Sequence, residues 1–236
     1  MSVLDASNLL VIDTSSRVCT VVMQTGKGVK TRVIEGHQSH GQSLLSAIDQ
    51  LRIELEIELQ QLSALAVVAG PGSFTGLRIG IGVVQGLAAA LEIPVILLSS
   101  LEWHAWSGFA AYDCSHVTVC RKARDGEFYV ATFQKGPDSG IQCIGGEVVV
   151  EGHAIVLPEV IERAGHWIAI GDGWNERDSF PAALLTGFSD VDCDLEADIE
   201  SLRRIANFKL NNKQTVSAEQ ALPSYLKENM NYRTAG

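Results

Sequence analysis

Leu65-Ala66-Val67-Val68-Ala69-Gly70-Pro71-Gly72-Ser73-Phe74-Thr75-Gly76-Leu77-Arg78-Ile79-Gly80-Ile81-Gly82 passes from a continuous apolar run through a glycine-rich turn into a helical pattern. The apolar run reads as a buried strand, and the turn presents free backbone N–H groups at a helix start, a place that receives anions. It is not a phosphate loop of the lysine type, because Leu77 and not Lys follows Gly76. Nor is it a nucleophile elbow, since Ser73 lacks glycines two residues away on both sides. Ser73 is placed to cap the helix. Within that helix Gly76, Gly80, Gly82 and Gly86 each cost about 1 kcal/mol of helix propensity. Their spacing of four makes two smooth patches, Gly76/Gly80 and Gly82/Gly86, for close approach of another backbone. Whether that backbone is the protein's own sheet or a partner helix is left open by the spacing.

Working outward, Asn8 to Asp13, Arg17 to Gln24 and Val29 to Ile34 read as three strands joined by polar or glycine-containing turns. From His40 the period changes, and Leu44, Leu45, Ile48, Leu51 and Leu55 form one helical stripe. The glycine helix runs to about Leu91, then a strand spans Val95 to Leu98 and a helix starts at Ser99. The second half repeats this order: strands at His116 to Arg121 and Glu127 to Phe133 about an Asp125-Gly126 hairpin turn, a third at Ile141 to Val150, a helix at Pro158 to Ala164, a strand at Trp167 to Gly171 and a helix at Asp198 to Leu210. The fold class is α/β, a duplicated β-β-β-α-β-α, with lobes expected at 1–110 and 111–236. The fold with that duplication is the actin-like, ribonuclease-H-like pair of lobes; the step is analogy and carries no function.

Composition narrows the chemistry. The 236 residues hold 18 Lys+Arg against 28 Asp+Glu, a net charge of −10, and neither half is basic: 6 against 9 in residues 1–110, 12 against 19 thereafter. Unaided nucleic-acid binding relies on a basic face, so tRNA contact is expected only within a complex. Arg121-Lys122-Ala123-Arg124 and Arg203-Arg204 are short and lie among acids. The alternating acids from Asp190 to Glu200 read as a solvated loop and helix start. Five cysteines form no C-x-x-C pair, which argues against a disulfide framework and a zinc knuckle. The N-terminus has no basic, signal-like start, and the apolar run Leu87 to Leu98 is broken by Glu92 and Pro94. A cytoplasmic protein without a membrane span is expected.

Ile12-Asp13-Thr14-Ser15, the block Gly70 to Gly82, Gln85-Gly86-Leu87-Ala88, Ser99-Ser100-Leu101-Glu102, Ala123 to Tyr129, Gly171-Asp172-Gly173-Trp174 and Pro223-Ser224-Tyr225-Leu226-Lys227 together resemble the bacterial TsaB (YeaZ) proteins along nearly the whole chain. The Gly70 to Gly82 block is the specific one. The resemblance implies a noncatalytic actin-like scaffold, without a cofactor of its own, in tRNA threonylcarbamoyladenosine formation. It implies pairing with a catalytic TsaD-type subunit, a TsaE-type ATPase as a further partner, and a homodimer when alone. The implied contact is a bundle of the first two helices, with His40, Leu44, Leu45, Ile48, Gly76, Arg78, Ile79, Gly80 and Val83 at the interface. On this reading Gly80→Arg or Leu45→Asp blocks the complex and leaves the monomer folded.

Two enzyme readings compete. A metallopeptidase reading rests on His37-Gln38-Ser39-His40, but the metal-binding TsaD relatives space two histidines four apart, and here the spacing is three with no Glu between. His104, His116, His153 and His166 are scattered singly. An actin-like ATPase reading needs a glycine in its first phosphate turn, which Asp13-Thr14-Ser15 lacks. Asp13, Thr14 and Ser15, with Gly72 and Ser73, are therefore expected to be a vestigial phosphate turn. Many TsaB relatives carry Asp-Ala-Arg where this chain has Lys122-Ala123-Arg124, which removes a carboxylate from the second lobe. No catalytic or metal-ligating residue is expected.

Overall fold

The computed structural model describes residues 8–35, 40–124, 126–158 and 166–226. The chain opens with β1 (Leu9–Asp13), β2 (Val18–Thr25) and β3 (Gly28–Glu35), followed by α1 (His40–Glu54), β4 (Ala64–Gly70), α2 (Phe74–Leu91), β5 (Val95–Ser99) and α3 (Ser100–Ala111). The first sheet has the order β3-β2-β1-β4-β5, antiparallel up to β1 and parallel beyond it. All five residues of β1 and all seven of β4 are buried, as expected of central strands covered on both faces. One face carries Leu10, Ile12, Leu65 and Val67 into a core with Leu44, Ile48 and Leu51 of α1, Leu55 just after it, and Ile81, Val84 and Ala88 of α2. Four of the five residues of the predicted stripe are buried here; the fifth, Leu45, is 51% exposed.

The second half follows with β6 (His116–Lys122), β7 (Glu127–Lys135), β8 (Ile141–Glu151), β9 (Trp167–Ile170), the short α4 (Ala182–Leu185), β10 (Asp190–Asp192) and α5 (Ile199–Asn211). Its sheet has the order β10-β9-β6-β7-β8, the same topology as the first. Phe128, Trp174 and Phe180 pack edge to face in its core, with Phe128 to Phe180 at 4.8 Å and Trp174 to Phe180 at 5.5 Å. The duplication read from the sequence is therefore present in the strand order. Two expected elements reach beyond the described residues: the helix at Pro158 to Ala164, of which only Pro158 is described, and Asp125 of the hairpin turn, whose Gly126 sits at φ 74. The acidic run from Asp190 begins as a strand, β10, parallel to β9, and not as loop.

Contacts divide the chain into two compact units. The first holds Met1–Trp103 and Ala197–Pro223, and the second holds His104–Glu196 and the described residues after Pro223. Residues 197–223 thus count with the first unit, where a cut at residue 110 assigns them to the second. Their attachment is specific. The Lys209 ammonium pairs with Glu102 at 2.7 Å, both side chains 16% exposed, and the Trp103 indole N–H donates to the Asp198 carbonyl at 2.7 Å. Val216 and Val95 exchange backbone hydrogen bonds of 2.8 and 2.9 Å, and Ala221 is buried in the α1/α2 core while its carbonyl accepts from Gln85.

Candidate functional site

The end of β1 and the glycine turn after β4 lie against each other. Asp13 is buried and its carboxylate accepts from the Ser15 N–H at 2.8 Å, so it caps its own turn. The Ser15 carbonyl accepts from the Ser73 N–H at 2.7 Å, and the Thr14 hydroxyl donates to the Gly76 carbonyl at 2.8 Å. Ser73 caps α2 as its spacing predicts, its hydroxyl accepting from the Gly76 N–H at 3.2 Å. The Ser100 hydroxyl donates to the Pro71 carbonyl at 2.6 Å and fixes the turn from the far side. The space around the glycines explains the rest. A Cβ on Gly72 would overlap the Ser15 carbonyl, one on Gly76 the Thr14 carbonyl, and one on Gly80 the Thr14 hydroxyl.

In a phosphate site such glycines let a ligand approach the backbone. Here they admit the protein's own chain, and the N–H groups of Ser73 and Gly76 are already engaged. The neighbouring Cys19 thiol, first through burial and then through the Asp13 charge, is pushed up to about 11, which makes it a poor nucleophile.

The second unit repeats the device. Gly171, at φ 105, and Gly173 follow β9 as Gly72 and Gly76 follow β4, and a Cβ on either would overlap Cys120 on β6. Beside them Arg121 pairs with Asp172 at 2.7 Å and also contacts the ring of His104. Lys122 pairs with Glu176 at 2.6 Å and is held above the usual lysine range by that hydrogen bond. No sequence pattern singles out His104; it is buried, and only the folded chain brings it to Arg121.

The expected interface residues separate into two groups. Leu44 and Ile48 face the core, and Gly76 and Gly80 face Thr14, so these four act from beneath the surface. This answers the question left open by the spacing: the Gly76/Gly80 patch receives the protein's own turn. It also corrects the expectation that Gly80→Arg leaves the monomer folded, because the new side chain meets Thr14. Leu45 is 51% exposed on α1; Ile79 and Val83 are half-buried on α2; and Arg78 is exposed with its guanidinium 3.8 Å from the Phe74 ring centre. Gly82 and Gly86 are exposed, and a Cβ on either would have nothing within 4 Å. His40 begins α1, and its side chain, like all of His37, lies outside the described residues. Among the described residues, no group of three or more His, Cys, Asp or Glu is arranged to hold a metal ion.

Two sheets of one topology, each with a strand end closed by glycines, define a two-lobed α/β protein of the actin-like class. The chain is 31% identical over 230 residues to the tRNA threonylcarbamoyladenosine biosynthesis protein TsaB of Escherichia coli, covering 95% of this chain and 96% of that protein. It belongs to the TsaB family. The Haemophilus influenzae protein of the same name is 31% identical, covering 95% of each chain. The solved structure of YeaZ from Pseudomonas aeruginosa matches with a TM-score of 0.81 and 32% identity, over 93% of this chain and 100% of that one. The family model of TsaD, tRNA N6-adenosine threonylcarbamoyltransferase, matches residues 20–166.

Proposed function

We propose that the chain is the noncatalytic scaffold subunit of a tRNA threonylcarbamoyladenosine-forming complex, holding a TsaD-type catalytic subunit through the exposed face of α1 and α2. The observation that carries this reading is α2 itself. The helix has 18 residues with a mean hydropathy of 1.5, long and apolar enough by composition to cross a membrane, yet only 33% of it is buried. Its outer face, with Gly82 and Gly86 exposed and Ile79 and Val83 half-buried, offers apolar contact and two positions where a partner backbone approaches closely, and Leu45 is exposed on α1. Leu44, Ile48, Gly76 and Gly80 support that face from within, and the first lobe carries it.

The family membership supports a place in tRNA modification, and the match to the transferase family's model supports a partner of related fold. A homodimer through the same face, a TsaE-type ATPase joining the pair, tRNA contact only in the complex and a cytoplasmic site of action complete the proposal. Size-exclusion chromatography with light scattering on this protein, the TsaD-type subunit and their mixture tests it. A one-to-one species lost with Leu45→Asp or Gly82→Arg, both folded by circular dichroism, is the expected result. A complex that survives both substitutions refutes the face.

A further inference from the structure

β3 is the outer strand of the first sheet; among the described residues no strand pairs with its free side. Alternate N–H and C=O groups of such a strand point outward without a ladder partner. Natural sheets blunt exposed edges with bulges and irregular register, and β8, the corresponding edge of the second sheet, is blunted in this way. Its register shifts between Val130 and Thr132 of β7, and Gly145 and Gly146 take φ values of 77 and 86. β3 has no such break: its eight residues pair one for one with Val18–Thr25 of β2. The duplication thus supplies an internal control, with one edge interrupted and its counterpart straight.

The faces of β3 are chemically distinct. Ile34 packs on the core beneath α1, and Arg32 reaches Gln50 and Glu54 of that helix. The two-residue period puts Lys30 on the same side and Val29, Thr31 and Val33 on the other. Val29 and Val33 are 46% and 51% exposed. Between β3 and α1 lies an open groove of about 630 Å³, lined by Arg32, Ile34, Ser43, Ser46, Ala47 and Gln50, with Val33 and the carboxylate-bearing Glu35 at its β3 rim. The short side chains of Ser43, Ser46 and Ala47 leave the room.

We propose that β3 and this groove are a strand-addition dock for an extended acidic segment of another protein. Carboxylates two residues apart would face Lys30 and Arg32, and β-branched side chains would face Val29 and Val33. Main-chain hydrogen bonds to the free edge hold the segment, and the cross-strand pairs select it. Arg32 has the capacity, because its five N–H groups exceed its contacts with Glu54, Gln50 and the Thr31 carbonyl. The same charges argue against a second copy. Antiparallel self-pairing centred on Thr31 sets Lys30 opposite Arg32 twice, and like charges across a strand pair repel. The dock stands apart from the exposed α1/α2 face and does not depend on that reading.

A fluorescein-labelled peptide, Thr-Val-Glu-Val-Glu-Val-Thr amide, titrated with the full chain and followed by anisotropy, tests the proposal. Three comparisons accompany it: the peptide with Lys for both Glu, the acidic peptide N-methylated at alternate residues, and the Lys30→Glu variant checked by circular dichroism. The acidic peptide is expected to bind about tenfold more tightly than the lysine peptide, as two charge pairs predict. N-methylation removes the binding, and Lys30→Glu lowers or inverts the preference. No saturable signal, equal affinity for both peptides, or a preference untouched by N-methylation and by Lys30→Glu overturns it. So does a dimer that forms through β3 and tightens with Lys30→Glu.

Discussion

Thr14 and Gly80 interlock: the Thr14 side-chain oxygen occupies the space a methyl group on Gly80 would need, while the same hydroxyl donates to the Gly76 carbonyl at 2.8 Å. The loop that ends β1 is therefore seated in a notch cut into α2 by two glycines one turn apart. Gly80→Ala is expected to destabilise the protein by about 1 to 3 kcal/mol, the usual cost of overpacking a tight site. Gly82→Ala, with nothing within 4 Å of the added carbon, is expected to stabilise it by about 0.5 to 1 kcal/mol. Urea unfolding of the two variants beside the parent protein measures the contrast. Equal effects in the two positions would count against the notch.

The Lys209–Glu102 pair ties α5 to the start of α3 with both side chains largely withdrawn from water. Removing one partner strands the other, so Glu102→Gln and Lys209→Met are each expected to cost about 1 to 3 kcal/mol. The double substitution should cost less than their sum. A double-mutant cycle by urea denaturation reads the coupling directly.

His116 sets a pH dependence. Burial holds its pKa below the ordinary histidine value, against a smaller opposing hydrogen bond from Gln134. The unfolded chain therefore takes up a proton at a higher pH than the folded one, and this site's contribution to stability falls as pH drops through the ordinary histidine pKa. Glu200 works at a lower pH. Its pKa is depressed, first by the Arg203 hydrogen bond, so its contribution is present above the ordinary glutamate pKa and is lost as pH falls through the folded value. Urea midpoints between about pH 5 and 8 should decline on the acid side, and His116→Gln should flatten that decline. A slope unchanged in the variant would assign the effect to other groups.

Thiol accessibility follows the burial pattern. Cys19, Cys114 and Cys120 are buried, and burial raises all three thiol pKa values. Iodoacetamide at about pH 8 is expected to label Cys143 and Cys193 first, since both are half-buried, and to reach the other three only in denaturant. Mass spectrometry of the timed digest distinguishes the sites. Early labelling of Cys120 would mean that its strand end opens in the native state.

Much of this architecture is legible in the sequence because the central strands are unbroken apolar runs and α1 has a clean stripe. Ser73 announces its helix by its capping position. β10 is hidden, since Asp190-Val191-Asp192 carries acids that disfavour strands and owes its conformation to pairing with β9. The fate of the glycine pairs is equally hidden. A period of four says that something approaches, and only the fold shows that Thr14 meets Gly80 while Gly82 and Gly86 stay open. His104 meeting Arg121 is a contact across 17 residues that no local pattern encodes.

The return of residues 197–223 to the first unit also has a consequence for biosynthesis. When the ribosome has released Trp103, β5 still lacks its Val216 neighbour and Glu102 its Lys209 counterion, both of which emerge only after the whole intervening unit. At roughly 5 to 20 residues per second, the remaining 120 or so residues take about 6 to 24 s to appear. The nascent first unit spends that interval with part of its apolar surface uncovered, and the second unit, although its stretch from 104 to 196 emerges in one piece, still awaits its residues after Pro223.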